Sequence, residues 1–123
     1  MKGLHLTADL LGCAAAGLLI DQVELATLCR AEVAAVGLTA VAERWHRFPD
    51  GPDGPGGITG VLLLAESHLA VHTWPERAGV TLDIYVCNFN DDNSGRAEAL
   101  LAALLARFAP ATHQIHRLQR GLV

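Results

Sequence analysis

The reactive residue types of this sequence are concentrated between residues 59 and 87. This stretch contains hydroxyl, thiol, imidazole and carboxylate side chains: Thr59, Glu66, Ser67, His68, His72, Glu76, Asp83 and Cys87. A serine or cysteine together with histidines and carboxylates supplies the groups that nucleophilic and acid–base catalysis require. We therefore expect the chemistry of the protein to reside in this stretch.

Strand geometry limits which of these side chains can meet. A hairpin that closes through residues 75–78 would place Ser67 directly across from Cys87, at about 5 Å. His72 follows Ser67 by five residues, so a regular strand would point the two side chains to opposite faces. Bringing His72 to Ser67 would therefore require a bend near Glu66 or the geometry of another strand.

Two kinds of cofactor are not expected. His68 and His72 form an HxxxH pair, but the β pattern separates them, and no carboxylate–cysteine set completes a metal shell. Of the nine basic residues, only Lys2 is a lysine, and it lies at the start of the chain, where order is usually poor. A buried lysine that binds a carbonyl cofactor or substrate is therefore not expected.

Composition narrows the class of protein further. A length of 123 residues with 51% hydrophobic residues fits one domain with a substantial core. The net charge is −4 and the basic residues are scattered, so no nucleic-acid surface is expected. Three cysteines without close pairing favour a reducing compartment, and no apolar run approaches about 18 residues, the length of a membrane span. We expect a cytoplasmic protein.

Hydrophobic periodicity predicts a strand from Leu4 to Leu10 and a helix from Asp21 to Val36, capped by Asp21 and ended at Gly37. Further strands are predicted at about Leu38–Phe48, Ile58–Ala65, Ser67–Trp74 and Val80–Cys87, with a turn-rich loop over residues 49–57. A second helix begins after Asn93 or Ser94 and buries Ala97, Leu100, Leu101, Leu104, Leu105 and Phe108. A short last strand is predicted around Gln114–Leu118.

This order of elements predicts an α+β fold. Two helices and hairpin-linked strands indicate a two-layer sandwich, with a mostly antiparallel sheet and both helices on one face. The other sheet face also carries apolar residues, so a second subunit is expected to cover it. The sequence therefore predicts a homodimer of a single domain, residues 1–123.

Four segments together resemble a known family. The stretches GITGVLLLAESHLAVHTWPE and TLDIYVCN, preceded by HLTADLLGC and WHRF, are similar in order and spacing to bacterial and archaeal S-adenosylmethionine decarboxylases. The resemblance covers nearly the whole sequence, and ESH followed by HTWPE is a specific combination.

The resemblance implies that the protein makes its own cofactor by cleavage between Glu66 and Ser67. The Ser67 hydroxyl would attack the preceding carbonyl to give an ester, and β-elimination would leave a pyruvoyl group on the chain that starts at position 67. His72 matches the family histidine that handles a proton during processing. Thr59 stands where relatives carry a serine hydroxyl that assists the rearrangement.

The resemblance also implies roles in turnover. Cys87 matches the cysteine that returns a proton to the substrate carbon after CO2 leaves. Glu76 matches a carboxylate that binds ribose hydroxyls, and Phe48 an aromatic that stacks on adenine. The pyruvoyl carbonyl would act as the electron sink, a role for which no lysine-bound cofactor would then be needed. S-adenosylmethionine is the implied substrate, and spermidine biosynthesis the implied pathway.

Two departures from the family pattern leave alternatives open. Asn88 follows Cys87 where relatives usually carry glycine, and the loop between Phe48 and Thr59 is longer than usual. Both bear on substrate identity, and related pyruvoyl enzymes decarboxylate ornithine or arginine instead. A third possibility is an unprocessed homologue that only binds or regulates a partner.

Overall fold

The computed structural model describes residues 1–121 and contains six strands and two α-helices. The strands are β1 (Gly3–Leu11), β2 (Ala40–Arg47), β3 (Ile58–Leu64), β4 (Ser67–Trp74), β5 (Gly79–Cys87) and β6 (Thr112–Arg120). The helices are α1 (Gln22–Ala35) and α2 (Ser94–Phe108). Two short 3₁₀ segments, Ala16–Leu19 and Pro75–Arg77, complete the regular structure of the described residues.

The strands form one sheet in the order β2-β3-β4-β5-β1-β6, with every neighbouring pair antiparallel. Alternate residues of β1, β3, β4 and β5 are buried with both helices in one continuous core. This arrangement confirms the predicted α+β two-layer sandwich with two helices on one face. None of the helices in residues 1–121 is long and apolar enough to cross a membrane.

Helix α1 begins and ends where the sequence predicted. The Asp21 side chain accepts a hydrogen bond of 3.0 Å from the backbone N–H of Glu24, which satisfies one of the unpaired donors of the first turn. Gly37 has a φ of 86°, a left-handed conformation that costs glycine little. Helix α1 buries Cys29 completely, and this burial raises the pKa of the Cys29 thiol to about 12.

Helix α2 follows the predicted apolar pattern but is capped differently. Asn93 occupies the N-cap position without a side-chain capping bond. Instead, a carboxylate oxygen of Asp92 accepts from the backbone N–H of Ser94 at 2.9 Å. The last strand is longer than predicted, because β6 runs alongside the whole of β1, from Leu11↔Thr112 to Gly3↔Arg120.

The sheet face opposite the helices is here called the open face. It is formed by the odd-numbered residues of β1, β3 and β5 and the even-numbered residues of β2, β4 and β6, as the register requires. Most of its side chains are half-buried or exposed. Among them are four large apolar side chains that are 46–53% exposed, namely Leu11, Leu63, Trp74 and Leu118.

Candidate active site

A strained turn precedes Ser67. Strands β3 and β4 are joined by the two residues Ala65 and Glu66, with Leu64 paired to Ser67. Glu66 has a φ of 55°, a left-handed conformation that costs a residue with a side chain about 1 kcal/mol or more. The Glu66–Ser67 peptide bond therefore joins a locally strained residue to the first residue of strand β4.

Ser67 and Cys87 are brought together by the β4–β5 hairpin. The register pairs His68 with Tyr85 and Trp74 with Gly79, one residue away from the predicted alignment, so Ser67 is not directly opposite Cys87. The four residues 75–78 connect Trp74 to Gly79, and a continuation of this register would place Val86 opposite Ser67. Ser67 and Cys87 nevertheless touch, since the backbone N–H of Cys87 donates a 3.1 Å hydrogen bond to Oγ of Ser67.

A small cleft opens at this end of the sheet. Ala65, Glu66 and Cys87 form one wall, and the segment after β5, with Phe89 and Asn93, forms the other. Phe89 is 69% exposed. The cleft therefore lies between Glu66, which immediately precedes Ser67, and a solvent-accessible aromatic ring.

Asn88 and Asn93 brace the segment that forms this cleft. Oδ1 of Asn88 accepts from the backbone N–H of Asn93 at 2.8 Å, and Nδ2 of Asn93 donates to the Cys87 carbonyl at 2.9 Å. Nδ2 of Asn88 donates in turn to Oγ of Ser94 at 3.0 Å. Asn88 thus holds the loop that follows Cys87, a role that was not predicted from the sequence.

The remaining candidate residues lie at the opposite end of the sheet. Thr59 pairs with His72 across β3 and β4, and Oγ1 of Thr59 is hydrogen-bonded to Nδ1 of His72 at 3.0 Å. A cleft of about 280 Å³ is lined by these two residues together with Phe48, Thr73, Trp74 and Glu76. Phe48 is 48% exposed, and its ring lies edge-on to that of His46, with 4.6 Å between the centroids.

The predicted residues therefore form two groups within one chain. The first, with Glu66, Ser67 and Cys87, is here called half-site A. The second, with Phe48, Thr59, His72 and Glu76, is called half-site B. Strand β4 runs from Ser67 to Trp74 without a break in its ladder, so Ser67 and His72 are separated by about 16 Å and face opposite sides of the sheet. The prediction that a bend near Glu66 could bring His72 to Ser67 is therefore wrong.

A cluster that the sequence analysis did not assemble lies on the open face beside half-site A. Asp83 accepts hydrogen bonds from Nε2 of His68, at 2.6 Å, and from Nε2 of His5. Arg120 donates to Nδ1 of His5 at 2.9 Å. We call these four residues the cross-strand network, because they lie on the neighbouring strands β4, β5, β1 and β6. Partial burial raises the pKa of the Asp83 carboxyl, but the bonds from His68 and His5 outweigh this, so its pKa lies below the usual value.

The sequence matches a known protein family over most of its length. The S-adenosylmethionine decarboxylase family model matches residues 4–121. The chain belongs to this family. A member from Aquifex aeolicus, named S-adenosylmethionine decarboxylase proenzyme, is 36% identical over 125 residues, which cover 98% of this chain and 82% of that protein. A proenzyme of the same name from Archaeoglobus fulgidus is 31% identical over 120 residues, which cover 97% of each.

A solved structure of the family has the same fold. The crystal structure of the adenosylmethionine decarboxylase from Aquifex aeolicus superimposes with a TM-score of 0.83 at 32% identity, covering 98% of this chain and 92% of that one. The family and the fold inferred from the sequence motifs are therefore confirmed, while the roles of individual residues stay predictions.

Proposed function

We propose that this protein is a self-processing, pyruvoyl-dependent S-adenosylmethionine decarboxylase. The observation that carries the proposal is the contact of Ser67 with the Cys87 backbone, immediately after the strained Glu66, in a chain of this family. The family motif assigns the serine hydroxyl to processing and the cysteine to turnover. This contact joins that hydroxyl to the backbone of that cysteine. The relatives' name, proenzyme, is consistent with a precursor that must be cleaved.

Processing would begin with attack of Oγ of Ser67 on the Glu66 carbonyl carbon. The C–N bond of the peptide breaks as the C–O bond of the ester forms, and the nitrogen takes a proton. A base then removes the proton on Cα of residue 67 as the bond between Cβ and Oγ breaks, which releases chain 1–66 with Oγ in the Glu66 carboxylate. The unsaturated residue left at position 67 takes up water and loses ammonia, and a pyruvoyl group remains.

Two features of half-site A would favour this step. Donation from the Cys87 N–H stabilises negative charge on Oγ, so it assists loss of the hydroxyl proton. The left-handed conformation of Glu66 raises the energy of the uncleaved turn, and its release on cleavage lowers the barrier by up to the energy stored. Both features belong to the backbone and depend on the hairpin rather than on any charged side chain.

The separation of half-sites A and B supports a dimer. Stacking two open faces about a two-fold axis perpendicular to the strands places half-site A of one protomer against half-site B of its partner. Such stacking would also bury the exposed apolar side chains of the open face, Leu11, Leu63, Trp74 and Leu118. We infer that Thr59 and His72 act at the Glu66–Ser67 peptide bond of the partner chain, which they would reach from the open face.

Thr59 and His72 have a geometry suited to proton transfer. The bond between Oγ1 of Thr59 and Nδ1 of His72 fixes the ring orientation and leaves Nε2 as the nitrogen that can exchange a proton with the partner's Ser67 region. Threonine supplies the same hydroxyl as serine with one extra methyl group. The additional bulk is expected to slow processing without preventing it.

The substrate would lie between the half-sites. When formed, the pyruvoyl group supplies the electron sink for loss of the carboxylate. The Cys87 thiol would return a proton to the substrate carbon. Phe48, with its exposed ring, would stack on the adenine, and the exposed Glu76 carboxylate would accept hydrogen bonds from the ribose hydroxyls.

Release of labelled CO2 tests the substrate assignment. Processed protein is incubated separately with carboxyl-labelled S-adenosylmethionine, ornithine and arginine. The proposal predicts CO2 from S-adenosylmethionine alone. Release from ornithine or arginine instead would reject S-adenosylmethionine as the substrate. No release from any of the three by a chain that stays whole would favour a non-catalytic homologue.

A further inference from the structure

The cross-strand network begins at the residue that follows the proposed cleavage point. His68 is the second residue of the chain that processing would create, and its Nε2 lies 2.6 Å from a carboxylate oxygen of Asp83. The His68 ring also stacks on Tyr85, with 5.8 Å between the centroids and an interplanar angle of 29°. His68 is thus held by both a charged hydrogen bond and an aromatic contact.

Processing would remove the contacts that hold position 67. In the uncleaved chain Ser67 is tied to β3 through the Glu66–Ser67 peptide bond, and its Oγ accepts from Cys87. The steps given above cut that bond, remove the nitrogen of residue 67 and transfer Oγ to Glu66. Newly created chain ends fray unless other contacts tie them down, so the first side chain able to hold the pyruvoyl end is that of His68.

The remainder of the network makes the Asp83 carboxylate a fixed acceptor. His5 donates to its other oxygen, and Arg120 donates to His5 from the edge strand β6. The side chains of His5 and Asp83 are 17% and 35% exposed, so the group is partly withdrawn from water. Asp83 cannot turn away from His68 without breaking its bond to His5.

Three residues of the network could also bind a metal ion, because one potential ligand atom of each lies within 4.8 Å of the others. They are His5, His68 and Asp83. Arg120 argues against this use. A guanidinium group only donates hydrogen bonds, so Nδ1 of His5 must accept from it. The proton of a neutral His5 then lies on Nε2, which donates to Asp83 and has no lone pair for a metal ion.

We propose that His68 is a positioning residue whose bond to Asp83, supported by His5 and Arg120, anchors the pyruvoyl end of the 67–123 chain beside Cys87 after self-cleavage. The inference rests on the proposed function. Before cleavage the peptide bond to Glu66 performs the same task, so His68 matters for turnover and not for processing. This distinction separates the role from a general contribution to folding.

The test compares His68→Leu, which removes the donor, with His68→Gln, whose amide can still donate to Asp83. His113→Gln, at an exposed position of β6, is the matched control. We expect all three to cleave at the wild-type rate. Loss of a hydrogen bond to a charged group should lower kcat of His68→Leu by about tenfold or more, with KM little changed. His68→Gln should recover most of kcat, and the control should equal the wild type.

Hydrogen exchange gives a second readout. In the cleaved protein, His68→Leu should increase exchange at the amides of Leu69 and Ala70, which follow the new chain end. In the uncleavable Ser67→Ala background the same substitution should change their exchange little. Loss of protection in both backgrounds would assign His68 a general structural role and overturn the inference.

Three further results would overturn it. One is unchanged kcat in His68→Leu, and another is a parallel fall of cleavage rate, melting temperature and kcat. The third is stoichiometric zinc in the wild type that His68→Leu loses. If the wild type itself neither cleaves nor releases CO2, the proposed function fails and this inference fails with it. A wild type that does both, with an unaffected His68→Leu, rejects only the inference.

Discussion

The backbone N–H of Cys87 donates a 3.1 Å hydrogen bond to Oγ of Ser67. The residue assigned to protonate the substrate thus also contacts the proposed nucleophile, but through its backbone rather than its thiol. The two proposed roles of Cys87 can therefore be separated by substitution.

Cys87→Ala should cleave normally and fail in turnover. The substitution keeps the backbone N–H that contacts Ser67, so processing should continue at a rate close to that of the wild type. Removal of a general acid should lower kcat for S-adenosylmethionine by about a hundredfold or more. Gel analysis of cleavage and CO2 release measure the two effects. Cys13→Ala, at a buried position outside the candidate site, serves as control, and equal turnover in both variants would reject the assignment of Cys87.

Glu66→Gly should slow self-cleavage. Glycine adopts a φ of 55° without the penalty paid by other residues, so the strain in the uncleaved turn disappears. Relief of about 1 kcal/mol would slow cleavage by up to about fivefold. Glu66→Ala is the matched control, because it removes the carboxylate but keeps the strained backbone. If both variants slow equally, the carboxylate and not the strain drives the step.

Complementation between two inactive variants tests the shared site. Ser67→Ala has no nucleophile and His72→Ala lacks the proposed proton carrier, so neither should cleave alone. In the proposed mixed dimer, His72 of the Ser67→Ala chain would lie against the Glu66–Ser67 bond of the His72→Ala chain. Co-expression should therefore yield cleavage of the His72→Ala chain only, which distinct affinity tags on the two chains would reveal. Absence of cleavage in verified mixed dimers would contradict the dimeric site, and a protein that sediments as a monomer would contradict the dimer itself.

The sequence identified almost every element of the fold, and the structure explains where it failed. Helix α1 was predicted correctly because its signals, the Asp21 cap and the Gly37 that follows its end, are both local. The hairpin register was wrong by one residue, although the predicted connection over residues 75–78 was right. A connection of these four residues pairs Trp74 with Gly79, which places Val86 rather than Cys87 in register with Ser67.

The candidate site was predictable in its residues but not in its arrangement. Alternation along β4 already indicated that His72 and Ser67 face opposite sides. The Asn88–Asn93 brace is local, but it was missed because it consists of side-chain hydrogen bonds in an irregular loop, which strand and helix patterns do not describe. The cross-strand network was missed because it joins residues that are far apart in sequence. Asp83 and His5 are 78 residues apart, and only the pairing of β1 with β5 brings them together.

The buried Cys29 thiol predicts a loss of stability at alkaline pH. Its pKa is about 12 in the fold against an unperturbed value of 9.0. Between these values the unfolded chain releases a proton that the folded chain keeps, so the free energy of unfolding falls as pH rises, by up to about 1.4 kcal/mol per pH unit. Below pH 9 this effect is absent.

Denaturant unfolding at pH 8, 9 and 10, at fixed protein concentration, measures this slope. Cys29→Ala should be less stable at pH 8, because the smaller side chain leaves a cavity. Its stability should then decline less steeply with pH than that of the wild type. Parallel pH dependences for the two proteins would show that the Cys29 thiol ionises as readily in the fold as in the unfolded chain.

The intact mass of the purified protein tests the central claim most directly. Self-processing at Ser67 predicts two chains, residues 1–66 and 67–123, the second lighter by one ammonia than a chain that begins with serine and lacking a free amine at its start. Ser67→Ala should give one full-length chain, while Thr27→Ala, a control that removes an exposed hydroxyl of α1, should give two. A wild-type protein that remains a single full-length chain after long incubation would contradict the account.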